Sequence, residues 1–305
     1  MTNPNTHSLA DVYGTGEFGL SFELFTPKTE AGEKALYRHD SALIELGARY
    51  ITCTYGAGGS TRDKTLEIIS EVRAQHGLPV ASHLTCVGST VDDLRQYLSE
   101  AQRAGVDYIV ALRGDPPKGE TEFKPVAGGL RYANELVELL RREFPQFGIA
   151  VAGYPEKHQE APSAEVDLEN LKRKVEAGAD AVITQLFYDN DDFFAFRERY
   201  EAAGLTAPLV PGVLPVTNLS QIQRITSLCG AKLPTEFVTR LAEREADDDW
   251  QFEIGVEFAT EQVQQLIDAG VPGVHFYVLN KSQATTRVLK NVRYDRSVVG
   301  PGSHT

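Results

Sequence analysis

The amino-acid sequence predicts an α/β protein that folds as a (β/α)8 TIM barrel in a single domain. The first observation is a repeated pattern in which a helical stretch ends in glycine and an apolar run follows. The second is that these runs are apolar almost throughout, which is typical of parallel strands covered by helices. Counting the runs gives eight units, which favours a closed barrel over the alternative, a doubly wound open sheet.

The elements can be assigned in order along the chain. The glycines that follow predicted helices are Gly47, Gly77, Gly105, Gly178, Gly204 and Gly270. The predicted strands are residues 20–25, 50–54, 79–84, 108–112, 149–154, 181–185, 209–213 and 273–278. Two helix starts have the pattern of a capping box, Ser60-Thr61-Arg62-Asp63 and Thr90-Val91-Asp92-Asp93. An acidic stretch at residues 242–250 is predicted to be a solvated part of an insertion between the seventh and eighth strands.

These assignments set the expected domain limits. We expect residues 19–294 to form the barrel, and residues 1–18 and 295–305 to be flexible tails. A literal G-x-G-x-x-G pattern at residues 14–19 is interpreted as accidental, because a dinucleotide site needs a strand before it and a helix after it.

Composition narrows the class of partner. With 305 residues, of which 42% are hydrophobic, the chain can bury a large core. Its formal net charge of -13 argues against nucleic acid or an anionic membrane as partner. Three cysteines without CxxC spacing indicate reduced thiols of a cytoplasmic protein. No apolar run is long enough to span a membrane, and the N-terminus lacks the apolar core of a signal peptide.

The carboxyl ends of the predicted strands carry polar residues. In the fourth unit, Arg113, Gly114 and Asp115 follow an apolar strand and precede two prolines that end it. In parallel α/β folds this is where ligands bind. The other strand ends contribute further polar groups at the same predicted rim: Thr54, Tyr55, His83, Thr85, Tyr154, His158 and Gln185.

Glu23 is the first catalytic candidate. It lies among aromatic residues near the end of the first predicted strand. Burial is expected to raise its pKa, as a general acid near neutral pH requires. The alternative is that Glu23 is a structural carboxylate, paired with another side chain and without a catalytic role.

Other chemistries are less favoured. Metal binding is not expected, because the seven histidines show no HxH or HExxH spacing. Schiff-base chemistry is disfavoured because no strand core carries a lysine. In the fifth helix, Asp167, Asn170 and Lys174 share one face, which indicates either a surface stripe or a clamp for ribose and phosphate.

Several of these motifs together resemble the methylenetetrahydrofolate reductase family. The match runs in order from about Leu20 to Val292. The motifs that carry it are Ser21-Phe22-Glu23-Leu24-Phe25, Thr54-Tyr55-Gly56-Ala57, His83-Leu84-Thr85-Cys86, Ala111-Leu112-Arg113-Gly114-Asp115, Ala152-Gly153-Tyr154-Pro155-Glu156-Lys157-His158, Ile183-Thr184-Gln185 and His275-Phe276-Tyr277-Val278-Leu279-Asn280.

The resemblance implies an FAD-containing barrel that reduces 5,10-methylenetetrahydrofolate with NADH or NADPH, each substrate in turn exchanging a hydride with the flavin. By position, Glu23 corresponds to the general acid, Asp115 and Gln185 to residues that bind the pterin, Thr54 to one near the nicotinamide and Lys281 to one near the glutamate tail. The residues implied to surround FAD are Tyr55, Ala57, His83, Arg113, Gly114, Asp115, Tyr132, Ala133, Tyr154, His158, Ala161, Asp167, Asn170 and Lys174.

Some positions depart from the family pattern. Leu219 stands where some members have an aromatic residue that stacks on the substrate, and Lys281 replaces an arginine. The resemblance also implies a homo-oligomer without the C-terminal regulatory domain of eukaryotic members. Two alternatives remain open: another barrel flavoprotein acting on a different small carbon-nitrogen substrate, and a non-catalytic module that binds folate or flavin.

Overall fold

The computed structural model describes residues 8–14, 16–27, 29–55, 62–116, 119–120 and 122–294. Its strands are β1 (Gly19–Leu24), β2 (Tyr50–Cys53), β3 (Val80–Thr85), β4 (Tyr108–Leu112), β5 (Gly148–Gly153), β6 (Ala181–Thr184), β7 (Leu209–Val210), β8 (Gly212–Val213) and β9 (Gly273–Tyr277). Its helices are α1 (Leu9–Gly14), α2 (Glu30–Glu45), α3 (Arg62–His76), α4 (Val91–Arg103), α5 (Ala133–Glu143), α6 (Ala164–Glu176), α7 (Asn190–Ala202), α8 (Leu219–Cys229), α9 (Thr235–Ala242), α10 (Asp248–Asp268) and α11 (Gln283–Asn291).

One parallel sheet forms the barrel wall. The strands are ordered β7-β6-β5-β4-β3-β2-β1-β9-β8, and each pairing between described strands is parallel. Because β7 and β8 are separated only by Pro211, the two ends of this order meet and the barrel closes. The predicted α/β class and (β/α)8 barrel are confirmed.

The seventh predicted strand is two short strands rather than one. Pro211 has no N–H to donate, while its carbonyl accepts from the backbone of His275 at 3.0 Å. The backbone N–H of Gly212 donates to the side-chain Oγ1 of Thr184 on β6, at 2.9 Å, rather than to a backbone carbonyl. A Cβ at Gly212 would collide with the Thr184 carbonyl and the Tyr277 ring, so only glycine fits this close approach.

The predicted helix ends are confirmed in detail. The six glycines that follow predicted helices have φ angles between 64° and 117°, the left-handed region that favours glycine. The capping box at the start of α4 is present, since Thr90 accepts from the backbone of Asp93 and Asp93 accepts from that of Thr90. The other predicted box, at Ser60 and Thr61, lies outside the described residues.

Side chains along each strand point alternately to the helices and to the barrel interior, so the core has two layers. On β1, Leu20, Phe22 and Leu24 pack outward against the helices, with Phe22 stacked on Phe276 at 5.9 Å between ring centroids. Ser21 and Glu23 point to the barrel interior, which therefore receives the polar residues of this strand.

Helix α1 corrects the predicted limits of the domain. Residues 9–14 were expected to lie in a flexible tail, and that prediction is wrong. Leu9, Val12 and Tyr13 are spaced as one helical face and are buried against Tyr50 and Tyr108 at the amino-terminal end of the barrel. Burial of this apolar face holds the short helix in place. Residues 295–305 lie outside the described part of the chain.

Helices α8 to α10 form the insertion predicted between the seventh and eighth strands, and they have an apolar cluster of their own. The acidic stretch between α9 and α10 is exposed, as predicted. Among the described residues, no helix is both long enough and apolar enough to span a lipid bilayer.

Candidate functional site

Glu23 lies inside the barrel near the carboxyl end of β1. Its Oε2 is 3.1 Å from His83 Nε2 on β3 and 3.7 Å from His275 Nε2 on β9. Glu23 is only 5% exposed and His275 only 1%, so both groups are almost entirely shielded from solvent, while His83 is partly buried. No set of three such side chains in the described residues has the arrangement that would hold a metal ion.

The pKa of Glu23 differs from the sequence-based expectation. Burial has the largest single effect and would raise it, but His83 and His275 together lower the pKa from 4.5 to about 2. The expectation that burial would leave Glu23 protonated near neutral pH is therefore wrong. Two imidazoles within reach outweigh the desolvation of one carboxylate, and the sequence did not reveal that both would face it.

Tyr277, on β9, connects this cluster to β6. Its ring lies 5.1 Å from that of His275, and its hydroxyl donates to the Thr184 carbonyl at 2.7 Å. Gln185 follows Thr184 directly and lines a cleft that Tyr154 and Cys229 also line. The side-chain oxygen of Gln185 accepts from the Leu186 backbone at 2.9 Å, which orients the amide. Gln185, predicted to bind the substrate, and Tyr154, predicted to bind the cofactor, thus line the same cleft.

A second polar cluster lies where β5 leads into α6. Lys174 donates to the Ala152 carbonyl at 2.5 Å, and its ammonium lies 5.9 Å from the centre of the Tyr154 ring. Burial lowers the pKa of Lys174 from 10.5 to about 8, although Asp167 opposes this shift. Asp167 accepts from the His158 backbone at 2.9 Å, and the His158 ring packs edge-on against Tyr154 at 4.7 Å. Four residues predicted to surround one ligand are therefore together.

The loop after β4 joins the second cluster. Arg113 makes a two-pronged ion pair with Glu160, at 2.5 and 2.7 Å, and lies 5.1 Å from the Phe123 ring. Gly114 has a φ of 87°, and a Cβ there would press on Val87 and Thr85, so the backbone approaches the loop after β3 closely. Asp115 is exposed at the rim.

The remaining candidates are placed less centrally. Thr54 follows β2 and is partly buried, while Tyr55 is buried with its ring 5.4 Å from Tyr97. Tyr132, at the start of α5, is 52% exposed, and Ala133 is the first residue of that helix. Ala161 is buried, its carbonyl accepting from Lys157, whereas Asn170 and Lys281 are exposed. Ala57 lies outside the described residues.

Sequence reasoning missed several contributors. Glu160 was not singled out as the partner of Arg113, and Ser21 and Tyr13 were not recognised as part of the hydrogen-bonded interior. Asn280 was named only as part of a motif. Its side chain nevertheless makes hydrogen bonds with both the N–H and the C=O of Phe25, each at 2.7 Å. The period-two pattern of β1 could have identified Ser21, because it lies two residues before Glu23 and shares its face.

Comparison with known proteins gives consistent matches. Residues 8–293 match the family model for methylenetetrahydrofolate reductase. The 5,10-methylenetetrahydrofolate reductase of Escherichia coli is 39% identical over 276 residues, covering 90% of both chains. Methylenetetrahydrofolate reductase (NADH) 1 of Zea mays is 36% identical over 93% of this chain, which spans about half the length of that plant relative.

A likeness to a solved structure supports the fold. A Clostridium thermocellum protein, described as binding two copies of 5-methyl-5,6,7,8-tetrahydrofolic acid, aligns over 92% of this chain and 96% of its own. The TM-score is 0.59 and the sequence identity is 14%, so this likeness concerns the barrel alone. The family model and the Escherichia coli relative each match this chain over most of its length. The chain therefore belongs to the methylenetetrahydrofolate reductase family.

Proposed function

We propose that this protein reduces 5,10-methylenetetrahydrofolate to 5-methyltetrahydrofolate, with FAD as cofactor and NADH or NADPH as electron donor. One observation carries the proposal most directly. In a chain whose relatives are named for this reductase activity, a buried carboxylate faces two imidazoles at the end of the barrel where ligands bind.

The second cluster has the chemistry to hold the diphosphate of FAD. Within the described part of the chain, Lys174 forms no ion pair within 4 Å and donates only to a carbonyl. A poorly compensated ammonium of this kind favours an anionic partner. The backbone at Gly114 packs directly against Val87 and Thr85, which fixes the position of the Arg113 loop beside this cluster. Arg113 is held by Glu160, so it would contact a phosphate only if that ion pair opened.

Bound FAD would supply the redox step, accepting a hydride from the nicotinamide and passing it to the folate. The chain would bind the two substrates in turn, hold them in place and move protons. Asp115 and Gln185 present a carboxylate and an amide that suit the amino and N–H edge of a pterin. Thr54 would approach the nicotinamide, and Lys281 would attract the glutamate tail.

Glu23 would provide the proton that the folate needs. When the imidazolidine ring opens, a carbon–nitrogen bond breaks and the nitrogen takes the proton, leaving the iminium that is reduced. Because interactions with His83 and His275 hold the Glu23 pKa at about 2 in the ligand-free protein, Glu23 would need to receive the proton from one of these two imidazoles before passing it to the folate. The acid would therefore be the Glu23–His83–His275 cluster rather than Glu23 alone.

The first test concerns the redox reaction. Protein reconstituted with FAD should lose its yellow absorbance when NADH or NADPH is added without oxygen, and should regain it on addition of 5,10-methylenetetrahydrofolate. Stopped-flow spectroscopy with each dinucleotide would also establish which donor is preferred. Failure to bind FAD, or reduction without any return of colour in the presence of the folate, would contradict the proposal.

The second test concerns Glu23. Glu23→Gln should slow the folate half-reaction by roughly a hundredfold or more, because the amide cannot pass on a proton, while reduction by the nicotinamide stays near normal. Asp40→Asn is a matched control, since Asp40 is equally buried but lies on α2. Equal damage to both half-reactions in Glu23→Gln would show that Glu23 only supports the structure.

A further inference from the structure

A chain of buried hydrogen bonds leads away from the Glu23 cluster along the barrel interior. His275 Nδ1 lies 2.7 Å from Ser21 Oγ, which lies 2.8 Å from the hydroxyl of Tyr13 on α1. Tyr13 in turn donates to the Tyr50 hydroxyl at 3.1 Å. All four side chains are at most 3% exposed, so water cannot substitute for these contacts easily. The chain connects the amino-terminal helix to the predicted acid.

The direction of these bonds follows from counting hydrogens. Tyr13 has a single hydroxyl hydrogen and uses it toward Tyr50, so it can only accept from Ser21. Ser21 then uses its own hydrogen toward Tyr13 and can only accept from His275. His275 must therefore carry a hydrogen on Nδ1. In its neutral form the Nε2 atom, which faces Glu23, is left as the basic nitrogen.

We propose that His275 is the positioning residue that holds the proton for Glu23, and that Ser21 and Tyr13 fix its tautomer for this task. The inference rests on the proposed function, in which Glu23 delivers a proton to the folate. The proton moves between His275 Nε2 and Glu23 Oε2, and no other bond changes. A neutral imidazole with its hydrogen on Nε2 could not accept that proton back.

Tyr13 acts as a fixed dipole rather than as a source of protons. Burial raises the pKa of its phenol well above 10, and neighbouring Tyr50 raises it further. The phenol therefore stays protonated through the physiological range, and its hydroxyl only sets the direction of the chain. An aromatic residue on α1 thus influences chemistry at the opposite end of the barrel.

The surroundings of Glu23 contain other groups that a pH-dependent experiment must consider. His83 on β3 is closer to the carboxylate than His275 is, but it lies outside this hydroxyl chain. Substitution of Tyr13 therefore changes the environment of one imidazole and leaves the other in place. The titratable groups that interact with Glu23 are Tyr50 and Cys53 on β2, His83 on β3, and His275 and Tyr277 on β9.

The tautomer can be measured without any activity assay. In protein labelled with ¹⁵N-histidine, the His275 signals are assigned by their loss in His275→Gln. In the flavin-free wild type, the neutral ring should carry its hydrogen on Nδ1. In Tyr13→Phe, Ser21 is free to donate to Nδ1, so a measurable fraction of the hydrogen should move to Nε2. Ser21→Ala should produce the same change by removing the acceptor.

The change of tautomer should also alter the pH dependence of the folate half-reaction. In Tyr13→Phe, Ser21 can donate to Nδ1 of the neutral ring, which favours the neutral imidazole over the protonated one and lowers the pH up to which the proton is held. The alkaline limb of the folate half-reaction should move down by about one pH unit in Tyr13→Phe, with a roughly tenfold lower rate on that limb. Reduction of the flavin by the nicotinamide should be unchanged.

Tyr108→Phe is the matched control. Tyr108 belongs to the same interior cluster as Tyr13, but its hydroxyl makes no hydrogen bond among the described residues. The inference is wrong if the ¹⁵N signals show that Tyr13→Phe and Ser21→Ala keep the wild-type tautomer, or if the pH profiles of Tyr13→Phe and Tyr108→Phe coincide. A wild-type protein that cannot reduce the folate would refute the proposed function instead, while the ¹⁵N measurement would still decide the tautomer.

Discussion

The Glu23 carboxylate lies between His83 and His275, at 3.1 and 3.7 Å, and its interactions with these two imidazoles outweigh the effect of burial on its pKa. Lys174 presents the opposite case. It is a partly buried cation of the second cluster, and the nearby Asp167 only partly offsets its desolvation. The ligand-free protein is therefore expected to have a lower free energy of unfolding than a variant with an apolar residue at position 174.

Lys174→Met should stabilise the flavin-free protein at pH 7 by about 2 kcal/mol, while weakening FAD binding by roughly tenfold or more. The folded pKa of about 8 lies below the ordinary 10.5, so the unfolded chain binds more protons between these values. The free energy of unfolding of the wild type consequently rises, through Lys174, as the pH rises from about 8 to 10.5. The advantage of the variant should shrink over the same window in thermal unfolding.

Lys172→Met provides the control for this prediction. Lys172 lies on the same helix, but its side chain is near the surface and 3.9 Å from Glu176. An exposed pair of this kind contributes little, so its loss should change stability by less than about 1 kcal/mol at any pH. If Lys174→Met destabilised the flavin-free protein, Lys174 would have to be compensated by a group other than Asp167.

Within the described ranges, residues other than glycine have positive φ angles only in the turn after β9. Leu279 and Asn280 have φ angles of 48° and 56°, which side-chain-bearing residues seldom adopt. Asparagine tolerates this region better than most residues, and here its amide bonds both backbone groups of Phe25. The turn is therefore joined to the end of β1, two residues beyond Glu23.

The contributions of backbone and side chain at Asn280 can be separated. Asn280→Gly keeps the positive φ at no steric cost but loses both bonds to Phe25, so it should destabilise the protein by about 2 kcal/mol. Asn280→Ala should cost about 1 kcal/mol more, because alanine is strained at this φ. Denaturant unfolding of both variants tests this order. Equal stability of the two would mean that the turn relaxes to another backbone conformation.

For the whole molecule, closure of the barrel depends on residues at both of its ends. Gly212 and Pro211 let the seventh strand change partners, and α1 fills the amino-terminal opening. Helix α1 has only six residues, too few to be stable alone in water, so its position depends on what it buries. Leu9 is fully buried there beside Tyr50, Tyr108 and Ala150.

Leu9→Ala should lower the free energy of unfolding by about 3 kcal/mol, because it leaves a cavity where α1 meets the barrel. Leu228→Ala is the same substitution at a side chain that is 73% exposed, and it should have almost no effect. Thermal unfolding measures both. Equal small effects would indicate that α1 is not packed on the barrel in solution, and would restore the interpretation of residues 1–18 as a flexible tail.

The sequence by itself determined the α/β barrel, its helix ends and the side of the barrel that carries the polar residues. These features follow from short-range rules, since a glycine cap, a capping box and an apolar strand are each written within a few neighbouring residues. Glu23, Gln185 and Tyr154 could be placed at that rim because parallel strands end on the same side.

Only the tertiary structure decided which groups meet. The pKa of Glu23 depends on His83 and His275, which are far from it in the sequence, and the hydroxyl chain joins Tyr13 on α1 to Ser21 on β1 at 2.8 Å. The Arg113–Glu160 ion pair and the packing of α1 likewise join separate segments. Burial and Coulomb interactions act through space, so their balance at a site is fixed only when the barrel has closed.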